Sequence, residues 1–298
     1  MANEKRVKQG SGSAAEQSVM GPHRAKKSLG QNFLTDRGAA QRIVDALGDI
    51  SRKTVIEIGP GRGMLTGLLI ARAQRLIAIE IDRVLAAQMR MKCANVPNIE
   101  VIEADVLAVD FASLLGPKPG TSIGGLAPKP TEKVRVVGNI PYYITSDILL
   151  RLFEYHELIE TIVIMVQKEV ADRIVAKVGT SEYGLLSATS QLYANVEKLF
   201  TLPAESFSPP PKVDSSVLRL TIAPRWEKLR VDPEAFMGFL KLSFGQKHKT
   251  LANNLKQRYD SKAIQAALEK AKVRADVRAE ALPLEKAAAV FKALDGQK

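Results

Sequence analysis

Runs of Val and Ile alternate with helical stretches through the first half of the chain, and this alternation limits the possible folds more than any other feature. Five such runs are predicted strands, at 54–58, 75–80, 98–104, 133–138 and 161–166. Continuous β-branched runs separated by helices are typical of a parallel sheet covered on both faces. Two later β-like runs, 196–202 and 216–222, are joined by a Pro-rich loop, so the last strand is expected to pair antiparallel.

The character of the chain changes near Trp226. Beyond it no strand pattern remains, and helices are expected near 233–243, 248–258, 262–271 and 283–294. Before the first strand, the small polar residues of 1–22 have no periodicity, which predicts a disordered tail. We therefore expect an α/β domain at 23–225 and a small all-helical domain at 226–298. The Gly- and Pro-rich segment 116–130 is predicted to be a surface loop.

Composition restricts the class of protein. Of 298 residues, 46% are hydrophobic and 25% charged, as in soluble globular proteins. The single cysteine, Cys93, excludes a disulfide framework and a cysteine-rich zinc site, and it fits a reducing cytoplasm. No metal site is predicted. No apolar run approaches the ~20 residues of a membrane span, and the N-terminus lacks the apolar core of a secretory signal.

The positive charge is concentrated at the two ends of the chain. Residues 1–30 carry six Lys/Arg against two acids, and residues 221–298 carry 16 against nine, whereas the middle is balanced. Such asymmetry indicates a polyanionic partner, most simply nucleic acid. The alternative is a solvated basic surface that only keeps the protein in solution.

Polar residues stand where successive predicted strands end. Gly59-x-Gly61-x-Gly63 follows the first strand, and its glycines allow a ligand to approach the backbone closely. Glu80 ends the second strand, where a carboxylate can accept hydrogen bonds from both hydroxyls of a ribose. Asp105 follows the third, either as an acceptor for an adenine amino group or as the cap of a turn. This pattern predicts a nucleoside-binding sheet. A nicotinamide dehydrogenase stays possible, although the glycine spacing differs from the dinucleotide fingerprint.

The sequence Asn139-Ile-Pro-Tyr142 ends the fourth predicted strand at the same edge of the sheet. Asn offers an amide oxygen, Pro fixes the backbone, and Tyr offers a flat π-face. Together they fit a flat ring that carries an amino group, such as adenine. The alternative is an ordinary Asn-Pro turn with core tyrosines.

These motifs carry a resemblance to a known family. The order of the glycine loop, Glu80, Asp105 and Asn139-Ile-Pro-Tyr142 resembles S-adenosylmethionine-dependent methyltransferases of adenine amino groups. With Gln31-Asn-Phe-Leu34, Phe207-x-Pro-x-Pro-x-Val-Asp-Ser215 and Phe244-Gly-Gln-x-x-Lys-Thr-Leu251, the chain resembles the KsgA/RsmA family of small-subunit rRNA adenine dimethyltransferases. The resemblance runs from about residue 26 to the end. It implies a Rossmann-like class I methyltransferase sheet with a helical C-terminal domain.

The resemblance also implies roles for individual residues. The cofactor S-adenosylmethionine is expected to contact Asn32, Leu34, Gly59, Gly61, Glu80, Asp105 and Asn139. The catalytic group is expected to be Asn139, Pro141, Tyr142 and Phe207, with Tyr142 and Phe207 stacking on the two faces of the target base. Without the family, Gln31–Leu34 would be interpreted as a hydrophobic staple before a helix. Phe207 has a similar alternative, as an anchor packed under the Pro-rich loop.

The expected partner is 16S rRNA within the 30S subunit, bound by a monomer. The basic residues expected to contact its phosphates are Arg24, Lys26, Lys27, Lys247, His248 and Lys249. The implied reaction is dimethylation of two adjacent adenines in the 3′-terminal hairpin loop. Alternatives are the Erm-type 23S rRNA methyltransferases, DNA adenine methyltransferases, which typically carry Asp/Asn-Pro-Pro-Tyr, and a ribosome-assembly factor whose binding matters more than its catalysis.

Overall fold

A seven-stranded sheet forms the centre of the protein. In this computed structural model, residues 25–26, 29–115 and 132–295 are described. The strands are β1 (Phe33–Leu34), β2 (Thr54–Ile58), β3 (Arg75–Glu80), β4 (Ile99–Glu103), β5 (Val134–Asn139), β6 (Ile159–Gln167), β7 (Ala194–Leu202), β8 (Phe207–Ser208) and β9 (Ser215–Ile222). The order in the large sheet is β4-β3-β2-β5-β6-β9-β7. Its first five strands are parallel, and β9 is antiparallel to both of its neighbours. The predicted sheet, including its antiparallel last strand, is confirmed.

Helices cover both faces of this sheet because alternate residues along each strand point to opposite sides. Ile56 faces a core that contains Leu152 and Ile174, whereas its neighbour Val55 faces a core that contains Ile43 and Leu69. The helices are α1 (Arg37–Asp45), α2 (Thr66–Ile70), α3 (Arg83–Lys92), α4 (Phe111–Leu115), α5 (Thr145–Glu154), α6 (Lys168–Ile174), α7 (Leu185–Tyr193), α8 (Trp226–Leu229), α9 (Pro233–Ser243), α10 (Leu251–Leu255), α11 (Ser261–Lys270) and α12 (Leu284–Asp295).

The strand order reverses between β2 and β5. The chain runs outward from β2 to β3 and β4, and then returns to β5 on the other side of β2. Loops that leave the carboxyl ends of these two strands diverge, and the resulting crevice is where open α/β sheets bind ligands. The glycine loop after β2 and the Asn139 motif at the end of β5 therefore lie on either side of this crevice.

A second, two-stranded sheet joins two segments that are far apart in sequence. Phe33 pairs with Ser208 and Leu34 with Phe207, in antiparallel register. The pairing continues through Thr35, whose N–H donates to the carbonyl of Ser206 at 2.8 Å. This sheet fixes the Gln31–Leu34 segment to the Pro-rich loop, a connection that the sequence patterns did not predict.

The C-terminal helices pack around a core of their own, in which Phe236, Phe239 and Phe291 stack or tilt against one another. Leu192 of α7 and the buried Tyr183 belong to the same core. The helical region is therefore continuous with α7, and the predicted boundary at 226 stays a prediction. No helix in the described ranges is both long and apolar enough to cross a membrane.

Some element predictions need correction. The expected helix at 248–258 is only Leu251–Leu255, because His248 has a φ of 72°, outside the helical region. Helix α5 was not predicted, although Ile148, Leu149 and Leu152 recur at helical spacing. The predicted tail at 1–22 and the predicted loop at 116–130 lie outside the described residues.

Candidate active site

A cavity opens at the carboxyl edge of the sheet, at the crevice between β2 and β5. Its unfilled space is about 780 Å³ including the open mouth. Eight of the predicted site residues line it: Asn32, Gly59, Gly61, Glu80, Asp105, Asn139, Pro141 and Tyr142. They come from five separate segments, so the parallel sheet has brought together residues spread over 111 positions of the chain. Their location is thus established, whereas the role of each residue stays a prediction.

The glycine loop after β2 is covered by Phe33. Gly61 has a φ of +56°, and a Cβ built on it would lie 2.9 Å from Cδ1 of Phe33. The guanidinium of Arg62 lies over the same ring, 4.5 Å from its centroid. Only glycine satisfies both the backbone angle and this contact without strain.

Glu80 presents a buried carboxylate to the cavity. Its side chain is held by two backbone donors, the N–H of Gly61 at 3.0 Å and the N–H of Asp82 at 2.9 Å. Burial raises the pKa of the Glu80 carboxyl above its ordinary value, and these hydrogen bonds offset part of the effect. A carboxylate accepts about four hydrogen bonds, so Glu80 retains capacity for ligand hydroxyls.

Asp105 serves the turn after β4 and also lines the cavity. Its Oδ1 accepts a hydrogen bond from the N–H of Leu107 at 3.0 Å. The capping interpretation of this residue is therefore correct. It does not exclude the binding one, because the carboxylate has a second oxygen and Asp105 is exposed to the cavity.

Asn139 connects the Asn139–Tyr142 motif to the N-terminal segment. Its Nδ2 donates to the main-chain carbonyl of Asn32 at 2.8 Å, and the Nδ2 of Asn32 donates to the carbonyl of Gly30 at 3.2 Å. With Nδ2 committed to Asn32, the side chain of Asn139 offers the cavity its Oδ1, which is an acceptor.

Tyr142 is held by a residue that the sequence patterns missed. Its hydroxyl shares a hydrogen bond of 2.6 Å with the hydroxyl of the buried Ser215. Burial raises the pKa of the Tyr142 phenol, so this hydroxyl is neutral near pH 7. Ser215 ends the Pro-rich motif, and its position there was the signal that could have linked the two motifs.

Two of the residues predicted for the cofactor or for catalysis do not line this cavity. Phe207 is only 3% exposed and packs in the core beneath the sheet, with its backbone paired to Leu34. Leu34 instead lines a small neighbouring cavity with Glu57 and Arg62. The pairing of β1 with β8 holds Phe207 inward, as expected of an anchor of its loop, and its stacking on the target base stays a prediction.

The N-terminal segment is fastened to the end of β3 through Asp82. The buried Asp82 carboxylate accepts hydrogen bonds from the Nζ of Lys26 at 3.1 Å and from Nε2 of Gln31 at 3.0 Å. Burial alone would raise the pKa of Asp82, but the bonds from Gln31 and Lys26 outweigh it and lower the pKa. Lys26, predicted to contact RNA phosphate, therefore has a carboxylate partner within the protein. Asp82 was missed, although an acid two residues after Glu80 and just before a helix was a visible signal.

Comparison with known proteins decides the family. A family model described as ribosomal RNA adenine dimethylase matches residues 22–296. The chain is 58% identical over 281 residues to ribosomal RNA small subunit methyltransferase A of Koribacter versatilis, over 94% of this chain and 98% of the relative. The chain belongs to the ribosomal RNA adenine dimethylase family. The resemblance drawn from the sequence motifs is thereby confirmed, and the chain is an rRNA adenine dimethyltransferase.

Two solved structures agree with this assignment. A dimethyladenosine transferase from Plasmodium falciparum is 25% identical with a TM-score of 0.70, over 87% of this chain and 95% of that chain. The 23S rRNA methyltransferase ErmE is 30% identical with a TM-score of 0.63, over 89% of this chain and 100% of that chain. The predicted methyltransferase fold with a helical C-terminal part is confirmed.

Three further basic residues predicted to contact RNA lie on the helical part of this dimethylase. Lys247, His248 and Lys249 are all exposed in the segment between α9 and α10. Asn254 shapes this segment, since its Nδ2 donates to the carbonyls of Ser243 at 2.6 Å and Gln246 at 3.3 Å. Arg24 and Lys27 lie outside the described residues.

Proposed function

We propose that this chain transfers methyl groups from S-adenosylmethionine to the N6 amines of two adjacent adenines in the 3′-terminal hairpin loop of 16S rRNA. The observation that carries the proposal is a single cavity lined by the glycine loop, Glu80, Asp105 and the Asn139–Tyr142 motif. The identity of 58% to a small-subunit rRNA methyltransferase supports the choice of rRNA. The proposed enzyme acts in the cytoplasm as a monomer on the 30S subunit.

The residues present fit the proposed cofactor. Glu80 is a buried carboxylate with spare acceptor capacity, and two ribose hydroxyls would satisfy it. Gly59 and Gly61 line the cavity and would lie beside the methionine part, with Asn32 on the N-terminal segment. Leu34 would act from the neighbouring cavity, which the glycine loop also lines. Asp105 has a carboxylate oxygen available for the adenine amino group. When bound, S-adenosylmethionine would supply an electrophilic methyl group on a sulfonium.

The Asn139 motif would prepare the target amine as a nucleophile. The lone pair of an adenine amine is delocalised into its ring, so the nitrogen attacks poorly while it is planar. Hydrogen bonds from its two N–H groups to Oδ1 of Asn139 and to the backbone carbonyl near Ile140 would favour a pyramidal nitrogen. Pro141 restricts this backbone segment, and Tyr142 stacks on the base with a contribution of about 1–3 kcal/mol.

No strong base is required in this scheme. The amine becomes acidic as it is methylated, and its proton can then pass to water. Catalysis therefore depends on positioning and on preorganised hydrogen bonds. A loop adenine is also cheaper to extrude than one within a duplex, because less stacking and pairing is lost. The exposed Lys247, His248 and Lys249 would contact phosphates and so position the RNA.

Labelled S-adenosylmethionine and unmethylated small subunits provide the test. We expect label in 16S rRNA, with primer-extension stops at two adjacent adenines near its 3′ end. Asn139→Ala should abolish transfer while cofactor binding largely survives, and Asn195→Ala, exposed on edge strand β7, should match the wild type. Transfer by Asn139→Ala at the wild-type rate would refute the mechanism.

The same assay separates the alternatives. Label in 23S rRNA alone would instead favour an Erm-type activity. This alternative is tested because the chain is similar to the 23S rRNA methyltransferase ErmE. An assembly role is tested separately, in a strain that lacks the protein. If Asn139→Ala restores subunit assembly there without methylation, binding rather than catalysis is the main function.

A further inference from the structure

Tyr143 stands exposed at the rim of the cavity. It lines the cavity yet is 60% exposed, and it follows directly on Tyr142 in the same 3₁₀ turn, Tyr142–Ile144. Neither the proposed cofactor site nor the proposed target-base site uses this ring. Tyr has an apolar ring with a polar end and is enriched at binding surfaces, so a ring left open to solvent beside the cavity is placed to contact a ligand there.

The two tyrosines cannot contact the same base in the same way. Adjacent residues of a 3₁₀ helix are separated by about 120° around its axis, because there are three residues per turn. The hydroxyl of Tyr142 is tied inward to Ser215 at 2.6 Å. Tyr143 therefore presents its ring in another direction, toward the outside of the cavity mouth.

The ring of Tyr143 is supported on one edge by the N-terminal segment. A Cβ added at Gly30 would lie 3.4 Å from Cε1 and 3.5 Å from Cδ1 of Tyr143, so this edge of the ring lies beside Gly30. Gly30 is itself held through the bonds from Asn32 to Gly30 and from Asn139 to Asn32. The exposed ring thus has a defined position next to the base-recognition motif.

An RNA loop that delivers one adenine into the cavity leaves its neighbour at the mouth. The neighbour loses a stacking partner when the target is extruded. Aromatic side chains replace such partners in single-stranded RNA. We propose that Tyr143 stacks on the nucleotide adjacent to the target adenine, which in the proposed substrate is the second adenine. This inference rests on the proposed function.

The test uses two RNA substrates and three variants. Small subunits are reconstituted with 16S rRNA whose synthetic 3′ segment carries either both adenines or one adenine beside an abasic nucleotide. The variants are Tyr143→Ala, Tyr143→Phe, which retains the ring, and Met91→Ala, a control that is 72% exposed on α3 and does not line the cavity. Calorimetry with S-adenosylmethionine checks that each variant binds the cofactor as the wild type does.

On the substrate with both adenines, Tyr143→Ala should lower kcat/KM by about 5- to 150-fold, the range that corresponds to one lost base stack. Tyr143→Phe and Met91→Ala should retain the wild-type value. On the abasic substrate, Tyr143→Ala and wild type should react equally, because the nucleotide that Tyr143 holds is missing.

Two results would overturn the proposal for Tyr143. The first is an unchanged kcat/KM for Tyr143→Ala on the substrate with both adenines. The second is an equal decrease in kcat/KM on both substrates, because a merely structural role would not depend on the neighbouring base. If the wild type methylated neither substrate, the proposed function would itself fail, and the inference with it. Wild-type activity on both substrates therefore separates the two failures.

Discussion

The side-chain amide of Asn139 donates a hydrogen bond to the main-chain carbonyl of Asn32, 107 residues earlier in the chain, at 2.8 Å. This bond joins the proposed base-recognition motif to the segment proposed to cover the cofactor. It also orients Asn139, because an amide whose Nδ2 faces a carbonyl directs its Oδ1 elsewhere. In the proposed enzyme, one residue would therefore couple closure over the cofactor to recognition of the target amine.

Asn139→Asp tests this coupling. The variant keeps acceptor oxygens but places one against the Asn32 carbonyl, so a repulsive contact replaces a hydrogen bond that contributes about 0.5–1.5 kcal/mol. We expect the Kd for S-adenosylmethionine, measured by calorimetry, to rise roughly tenfold, corresponding to about 1.4 kcal/mol. The rise should be larger than in Asn139→Ala, which loses the bond to Asn32 without gaining the repulsion.

Asn98→Asp is the matched control. Asn98 also donates to two main-chain carbonyls, those of Ile70 at 2.9 Å and Ala73 at 3.0 Å, but it does not line the cavity. Its substitution should lower the free energy of unfolding and leave the Kd unchanged. An unaltered Kd for Asn139→Asp would show that the bond to Asn32 does not contribute to cofactor binding.

Gly61→Ala should damage the glycine loop. The left-handed φ of +56° costs a residue with a Cβ about 1–2 kcal/mol, and the new Cβ would displace Phe33. We expect a lower melting temperature and weaker cofactor binding.

Gly67→Ala is the control, since Gly67 is exposed on helix α2 with nothing within 4 Å of the added Cβ. It should stabilise the protein by up to about 1 kcal/mol. Equal effects of the two variants would contradict the role given to Phe33.

The location of most site residues was predictable from the chain alone. Parallel strands bring their carboxyl ends to one edge, so Gly59, Glu80, Asp105 and Asn139 had to lie near one another once the strands were recognised. Strand recognition needed only continuous β-branched runs, which are a local property of the sequence. The switch between β2 and β5 then decided where along that edge the cavity opens.

The contacts that fasten the site could not be predicted in the same way. Asp82 with Lys26 and Tyr142 with Ser215 are separated by 56 and 73 residues. Such pairs depend on how distant segments pack, which no periodicity encodes. The inward position of Phe207 could not be predicted either, because it follows from pairing between β1 and β8, which are distant in sequence. A motif indicates that a residue belongs to the site region, but not which way its side chain faces.

Asp82→Ser should loosen the N-terminal segment without breaking helix α3. Ser retains an acceptor for the N–H of Val84, the helix cap that Asp82 now provides at 3.0 Å. It is too short to hold Lys26 and Gln31. We expect faster amide exchange at residues 29–34 and a higher Kd for S-adenosylmethionine. Glu103→Ser, an exposed site on β4, should change neither. Unchanged amide exchange at residues 29–34 in Asp82→Ser would show that other contacts hold the N-terminal segment.

Glu57 should make stability depend on pH. Burial raises the pKa of this carboxyl from 4.5 to about 8, although the Thr66 hydroxyl donates to it at 2.8 Å. Between these values the folded protein holds a proton that the unfolded chain has lost, so stability falls as pH rises. The free energy of unfolding should fall by about 1.4 kcal/mol per pH unit in this range. Above about pH 8 it should fall no further on account of Glu57.

Glu57→Gln removes this ionisation. Urea unfolding should therefore show a stability difference between the variant and the wild type that widens in favour of Gln from pH 5 to pH 8. Glu103→Gln, at an exposed position, should show no such widening. A constant difference between Glu57→Gln and the wild type across this range would mean that Glu57 stays charged in the folded protein.

The segment between α9 and α10 should set part of the salt dependence of RNA binding. Lys247 and Lys249 are exposed there, and the Asn254 side chain fixes the adjoining backbone. Each phosphate contact contributes about 0.7–0.9 to the slope of log K against log salt concentration, because counterions are released. The double variant Lys247→Ala/Lys249→Ala should therefore lower that slope by about 1.5 and weaken binding to small-subunit rRNA, with cofactor affinity unchanged.

The control double variant, Lys262→Ala/Lys270→Ala, removes the same charge from helix α11 and should alter the slope less. Equal slopes for the two double variants would assign the effect to net charge rather than to this segment.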